Sequence, residues 1–262
     1  MSAMRLAERI ENTEVPQGSV AVFFLGQAGF VLKTSSGKTV VIDPYLTDCV
    51  ERLVGFKRMM PTLVEPQELR VDMFLATHSH ADHLDIDAVP VIAARDDCLF
   101  IGAPDCAAFF ESCSIPSTRW MTLAEGESAV QHGIEVRAVY ADHGELAPEA
   151  VGYVITVDGL TIYNVGDSAL ASGKILQSLG TQVDVMIAPI NGAYGNLDSA
   201  EAVELAALVK PRLVIASHFW MFVEHGGDPG GFLELAGRLQ PATRALVMAP
   251  GECVIVGGEA VI

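Results

Sequence analysis

The feature that most constrains the fold of this chain is the rhythm of its short apolar runs. Ser19 to Leu25 (SVAVFFL) reads as a strand, Gly26-Gln27-Ala28-Gly29 as a turn, and Phe30 to Thr34 as the hairpin partner. Ser35-Ser36-Gly37-Lys38 makes a second turn, and Thr39 to Ile42 a third strand that stops at Asp43-Pro44. A short helical segment precedes this antiparallel meander. The stretch from Tyr45 to Pro66 is weakly patterned and reads as a long loop or short helices, and long ordered loops often carry function. Val71 to Thr77 is a buried strand, Ile86 to Ala94 a helix, Cys98 to Ile101 a strand, and Pro104 to Ser112 a helix with Pro at its start. Further on, Ile134 to Tyr140, Val151 to Val157 and Leu160 to Val165 are strands, the last two joined by an Asp158-Gly159 turn. The final third alternates strands at Val183 to Ala188, Leu213 to Ala216, Ala245 to Met248 and Cys253 to Val256 with helices at Ser199 to Val209 and Gly230 to Leu239. Both halves thus hold antiparallel strands and strand–helix units, which fits a two-sheet core flanked by helices better than one parallel sheet. With no repeat or linker between the halves, residues 1–262 are expected to form a single domain.

His78-Ser79-His80-Ala81-Asp82-His83 follows the strand ending at Thr77 and packs three of the seven histidines and a carboxylate into six residues. Imidazole nitrogen and carboxylate oxygen are the ligands that zinc, manganese and iron accept when no thiolate is present. His78 and His80 reach one ion from a strand end, while Asp82 and His83 face a second position, a spacing that suits two cations about 3.5–4 Å apart. Such a site needs more ligands. His143, Asp167 and His218 each follow an expected strand, the placement at which α/β folds collect active-site residues. Singly, each has an ordinary reading: a loop histidine, a helix N-cap and a half-buried imidazole. Together with the six-residue motif, they favour a metal site.

Composition narrows the partners. Lys and Arg total 16 against 33 acids, a formal net charge of −17, which argues against a nucleic-acid partner. No apolar stretch reaches the roughly 18 residues of a membrane span, and Met1 to Pro16 lacks the apolar core of a signal peptide. Five scattered cysteines with no CxxC pair read as buried thiols in a reducing compartment, so a cytoplasmic location is expected.

The motif, with His143, Asp167 and His218 at later strand ends, resembles the metallo-β-lactamase superfamily of hydrolases over nearly the whole chain. The resemblance implies an α+β fold, a four-layer αββα sandwich of two mixed β-sheets flanked by helices. It implies that His78, His80 and His143 hold one metal, that Asp82, His83 and His218 hold a second, and that Asp167 bridges them. It also matches Asp43 to an aspartate that orients a ligand imidazole; the alternative for Asp43 is a turn-forming Asp-Pro pair. The segments Phe24 to Phe30, Gly55 to Pro61, Asn191 to Leu197 and His218 to Phe222 look like the L-ascorbate-6-phosphate lactonase branch and related metal-dependent hydrolases. That branch implies two divalent ions, zinc or manganese, and a homo-oligomer. The chain is shorter than the lactonase, which leaves the substrate open.

The chemistry expected is attack by a hydroxide bridging two cations on a small anionic ester or lactone, such as a phosphorylated sugar lactone. Asp82 is the candidate to pass a proton to the leaving oxygen, alongside its role as ligand, with Asp167 as the other catalytic carboxylate. Lys57 and Arg58 are candidate phosphate contacts or a solvated surface pair. Asn191, Tyr194 and Asn196 would bond a polyol or form a turn, and the family likeness puts His225 at the mouth of the site. His132 reads as a hairpin tip, and Gly226 to Gly231 as a helix lead-in. The alternatives are a phosphodiesterase of the same fold and a non-catalytic metal-binding domain.

Overall fold

Strands that are buried at every position need cover on both faces, and the first three strands of this chain are of that kind. The computed structural model describes residues 5–95, 97–239 and 243–257, so the first four residues of the expected N-terminal segment lie outside the described residues. The first half runs α1 (Leu6–Asn12), β1 (Ser19–Gly26), β2 (Gly29–Thr34), β3 (Thr39–Ile42), α2 (Cys49–Val54), β4 (Met73–Ala76), α3 (Ala88–Arg95), β5 (Leu99–Gly102), α4 (Ala107–Ser112) and β6 (Trp120–Thr122). The second runs β7 (Ser128–Gln131), β8 (Ile134–Tyr140), β9 (Val151–Val157), β10 (Leu160–Asn164), α5 (Ser172–Leu179), β11 (Val185–Pro189), α6 (Ser199–Val209), β12 (Leu213–Ser217), α7 (Pro229–Ala236), β13 (Arg244–Leu246) and β14 (Cys253–Gly257). Residues 45–66, expected as loop or short helices, contain α2. The three-residue edge strand β6 is too short for a pattern and escapes the sequence reading.

Two seven-stranded mixed sheets result, in the orders β14-β1-β2-β3-β4-β5-β6 and β13-β12-β11-β10-β9-β8-β7. In the first, β14, β1, β2 and β3 pair antiparallel and β3 to β6 parallel; in the second, β7 to β10 pair antiparallel and β10 to β13 parallel. The helices flank the sheets, giving the αββα sandwich. One apolar core draws buried residues from both sheets, from Val20 and Phe74 to Ile155 and Ile215. Tyr153 carries its hydroxyl across the core and donates to the Ala76 carbonyl at 2.9 Å.

This topology decides where loops emerge. β1, β3, β4 and β5 run one way, so Gln27, Asp43 and Thr77 leave the first sheet on one edge. β8, β10, β11 and β12 also share a direction, so the segments holding His143, Asp167, Asn191 and His218 leave the second sheet together. Gly166 brings the two edges into contact. Its backbone is left-handed (φ +67°), and a Cβ there would stand 2.8 Å from the Val151 carbonyl and 3.2 Å from Thr77, so glycine is required just before Asp167. Among the described residues no helix is long and apolar enough to cross a membrane.

Candidate metal centre

Donors from four strand-end segments converge where the two sheet edges meet. Among the described residues, three sets have ligand atoms within 4.8 Å of one another: His78, His80 and His143; His78, His83 and Asp167; Asp82, His83 and His218. Asp167 faces both sides of the cluster. Its Oδ1 lies 3.4 Å from His83 Nε2, and its Oδ2 lies 3.4 Å from His218 Nε2 and 3.8 Å from His143 Nε2. It does not cap α5, whose N-cap is Ala171.

The imidazoles are held from behind. Asp43, fully buried, accepts from the Thr77 amide (2.8 Å), the Thr77 hydroxyl (2.8 Å) and His83 Nδ1 (3.0 Å). A proton fixed on Nδ1 leaves the lone pair of His83 Nε2 aimed into the cluster. Thr77 Oγ1, its proton committed to Asp43, accepts from His78 Nδ1 at 3.1 Å, which likewise frees His78 Nε2. His80 donates Nε2–H to the Leu146 carbonyl at 3.2 Å and presents Nδ1. Four residues of the site, Gln27, Asp43, Tyr194 and His218, hold left-handed backbone at φ +54°, +43°, +56° and +57°. Non-glycine residues keep such conformations only where the surroundings impose them.

The cluster carries the marks of a cation site. His78 Nε2 stands 2.9 Å from His80 Nδ1, and His83 Nε2 stands 3.2 Å from His218 Nε2. Ring nitrogens directed at each other this closely repel unless a proton or a cation lies between them. Among the described residues, the buried Asp167 Oδ1 and His143 Nδ1 have no hydrogen-bond partner. The protonation balance agrees. Burial works against the charge of His83, yet Asp167, Asp82 and Asp43 push its pKa well up, and the His218 pKa rises to about 9 against the same burial because of Asp167. Burial likewise opposes ionisation of Asp167 and Asp82, but the neighbouring imidazoles hold both carboxyls well below the usual range. Buried carboxylates demand positive charge, and divalent cations would supply it in place of these protons. The all-nitrogen-and-oxygen donor set fits zinc, manganese or iron.

His80, Asp82, His143, Asp167 and His218 form the floor of a cavity of about 310 Å³. Asn196 and His225 join that floor: Asn196 Nδ2 donates to Asp167 Oδ2 at 2.7 Å, and the His225 ring stacks on His218 at 4.8 Å. Tyr194 lines the side, its ring 5.4 Å from His225. The remaining expected contacts lie elsewhere. Arg58 is tied down by Thr62 Oγ1 (2.5 Å), the carbonyls of Tyr45 (3.2 Å) and Thr47 (3.1 Å), and Asp48 (3.1 Å), with its guanidinium 4.5 Å over the Tyr45 ring. Its donors brace the segment around α2 and are not available to a phosphate. Lys57 is exposed and does not line the cavity. Asn191 also lies outside it, its Nδ2 donating to the Ala193 carbonyl at 3.3 Å in the turn before α6. Asn191 thus takes the turn-forming alternative, because its amide nitrogen is engaged within its own loop.

Two residues of the site escape the sequence reading. Gln27, fully buried in the turn after β1, has Nε2 at 2.8 Å from Asp82 Oδ2 and 2.9 Å from His225 Nδ1, and its carbonyl accepts from the His218 amide at 2.7 Å. Its sequence signals are a polar residue in an otherwise glycine- and alanine-built turn and a place inside the Phe24 to Phe30 segment of family likeness, neither of which gives it a role. Thr77 reads as the last residue of a strand and is the relay between Asp43 and His78.

The description "Beta-lactamase superfamily domain" belongs to the family model that matches residues 21–218. A UPF0173 metal-dependent hydrolase of Thermococcus onnurineus is 31% identical over 241 residues, covering 89% of this chain and 98% of that protein. A protein of Escherichia coli named "Probable L-ascorbate-6-phosphate lactonase UlaG" is 25% identical over 273 residues, covering 86% of this chain and 76% of that one. Among solved structures, Igni18, a metallo hydrolase from Ignicoccus hospitalis, superposes with a TM-score of 0.73 at 21% identity, covering 92% of this chain and 100% of its own. Likeness at that identity speaks for the fold alone. The match across residues 21–218, with the Thermococcus relative aligned along almost its full length, places this chain in the β-lactamase superfamily, among its metal-dependent hydrolases.

Proposed function

We propose that this hydrolase opens a small ester or lactone with two divalent cations, one held by His78, His80 and His143 and one by Asp82, His83 and His218, with Asp167 serving both. The observation that carries this reading is the placement of Asp167, whose carboxylate lies 3.8 Å from His143 of the first set and 3.4 Å from both His83 and His218 of the second. When bound, zinc, manganese or iron supplies Lewis acidity, polarising a carbonyl oxygen and lowering the pKa of water towards about 7.

The chain's own residues have separate tasks. Asp43 and Thr77 orient His83 and His78, and Leu146 orients His80. Asn196 steadies Asp167. Asp82 stays ionised, lines the cavity and is held by Gln27 through Oδ2, so its carboxylate is placed to take a proton and return it to a leaving oxygen. The expectation of a phosphorylated sugar lactone rests on the resemblance to the lactonase branch, with Lys57 and Arg58 as candidate phosphate contacts; with Arg58 engaged elsewhere and Lys57 outside the lining, those two residues do not support it.

Five free cysteines, three of them buried, support a reducing, cytoplasmic setting. Together with homo-oligomerisation and a single domain over 1–262, this belongs to the proposal; cell fractionation tests the setting and light scattering the oligomer. The hydrolase reading is tested with a panel of lactones, esters and phosphodiesters in zinc or manganese. Lactone or ester turnover that stops with chelator and returns with metal is expected. Exclusive turnover of phosphodiesters, or none at all, overturns the reading.

A further inference from the structure

The cavity has two unlike parts. Above the donor floor its wall is hydrocarbon: Val50, Leu53 and Val54 of α2, Phe56 just beyond it, Leu146 after β8 and Tyr194 after β11. Four of these stay open to water, with Leu53 50%, Val54 61%, Leu146 55% and Tyr194 46% exposed. Scattered apolar residues on a surface need no explanation, but a group of large ones around one opening marks a binding surface.

The fold does not require them. α2 attaches itself through Cys49 and Val50, while Leu53 and Val54 lie outside both clusters of buried apolar residues. The same helix carries Glu51 and Arg52, so polar residues are tolerated on it. The wall is also in register with the chemistry: the Leu146 carbonyl accepts from His80 Nε2 at 3.2 Å, so the loop that supplies a wall residue also fixes a donor of the floor. Among the described residues no lysine or arginine lines the cavity. Of the two cations adjacent in sequence to wall residues, Arg52 pairs with Asp87 at 2.5 Å and Lys57 lies exposed outside the lining.

We infer that this wall is a subsite for an apolar substituent, so that the substrate is an ester or lactone bearing a short alkyl or aryl group, with its carbonyl turned to the donor floor. The inference rests on the hydrolase reading above and names its substrate class. The occupant is the substrate itself because the wall is continuous with the donor floor, within one cavity. At about 310 Å³ the cavity equals about ten water volumes, room for a ring and a chain of a few carbons.

Two series test this on the full zinc-loaded chain. The first measures kcat/KM for γ-lactones from γ-butyrolactone to γ-nonalactone, with 6-phosphogluconolactone beside them. The second measures, without turnover, the calorimetric affinity for carboxylates from acetate to octanoate. Both quantities should rise about two- to fourfold per methylene over the first carbons and then level off. Leu53→Ser and Leu146→Ser, at exposed positions, should flatten both slopes. A slope for the carboxylates with no lactone turned over keeps the subsite and removes the lactonase reading. Lactone turnover with no slope in either series overturns the subsite and leaves the hydrolase reading intact. Preference for the phosphorylated lactone overturns the inference. So does light scattering in which these substitutions split an oligomer while the slopes stay as they were, since the wall would then be a contact between copies.

Discussion

The floor and the wall of the cavity are built by different means. Each imidazole of the first motif has a second contact behind it, through Asp43, Thr77 or the Leu146 carbonyl, and His78, His83, Asp167 and His218 are at most 4% exposed. These residues come from both sheets, so their geometry is tied to the whole sandwich. The wall stands on a six-residue helix and loops, with Leu53, Val54, Leu146 and Tyr194 half open. The contrast teaches that the chemistry is anchored in long-range topology, while substrate choice is set by local segments that can change without disturbing the sheets.

The sharpest way to break the comparison is at the floor. Asp167→Ala should strip metal, read by elemental analysis, and lower hydrolysis on the order of a thousandfold, since several kcal/mol of electrostatic stabilisation go with it. Full metal content together with full rate would remove Asp167 from the centre. Asp43→Asn takes away the charge behind His83 and should weaken metal binding about 10- to 100-fold in a chelator competition. Leu53→Ser should leave that affinity where it was; an equal loss in both variants would erase the distinction between floor and wall. Gln27→Met keeps the volume but releases Asp82 and His225, so kcat should fall about tenfold, or about 1.4 kcal/mol, with metal retained. Loss of metal instead would make Gln27 part of the scaffold of the donors. Arg58→Met should lower unfolding stability by about 1–2 kcal/mol through its lost carbonyl and hydroxyl bonds. Phosphorylated and neutral substrates should suffer alike; a selective loss for phosphorylated ones would return Arg58 to the substrate site.

Much of the fold and of the donor set is legible in the amino-acid sequence because its signals are local. The helix Ser199 to Val209 has the bounds read from sequence, since Asp198 caps it and Glu201 completes the capping box. The two-residue turn at His132 joins β7 and β8 as a hairpin tip. His78 to His83, His143, Asp167 and His218 stand out as donors because strand ends show in the apolar pattern, and donor chemistry belongs to the residue type itself.

What the chain alone does not disclose depends on which side chains meet across two sheets. Gln27 lies 191 residues from His218, and no periodicity around it reports that its amide closes the site. Arg58 and Lys57 are an adjacent basic pair in the sequence; the fold spends Arg58 on the Tyr45 segment and leaves Lys57 outside the cavity. Leu53, Val54 and Leu146 have the pattern of ordinary apolar residues until the fold stands them over the donors. A residue's sequence neighbourhood decides which face of its own strand or helix is buried, and so the strands, turns and donor types are determined there. Which faces then oppose one another, and what they enclose, is set by the packing of the two sheets and the paths of their loops, and only the tertiary structure decides it.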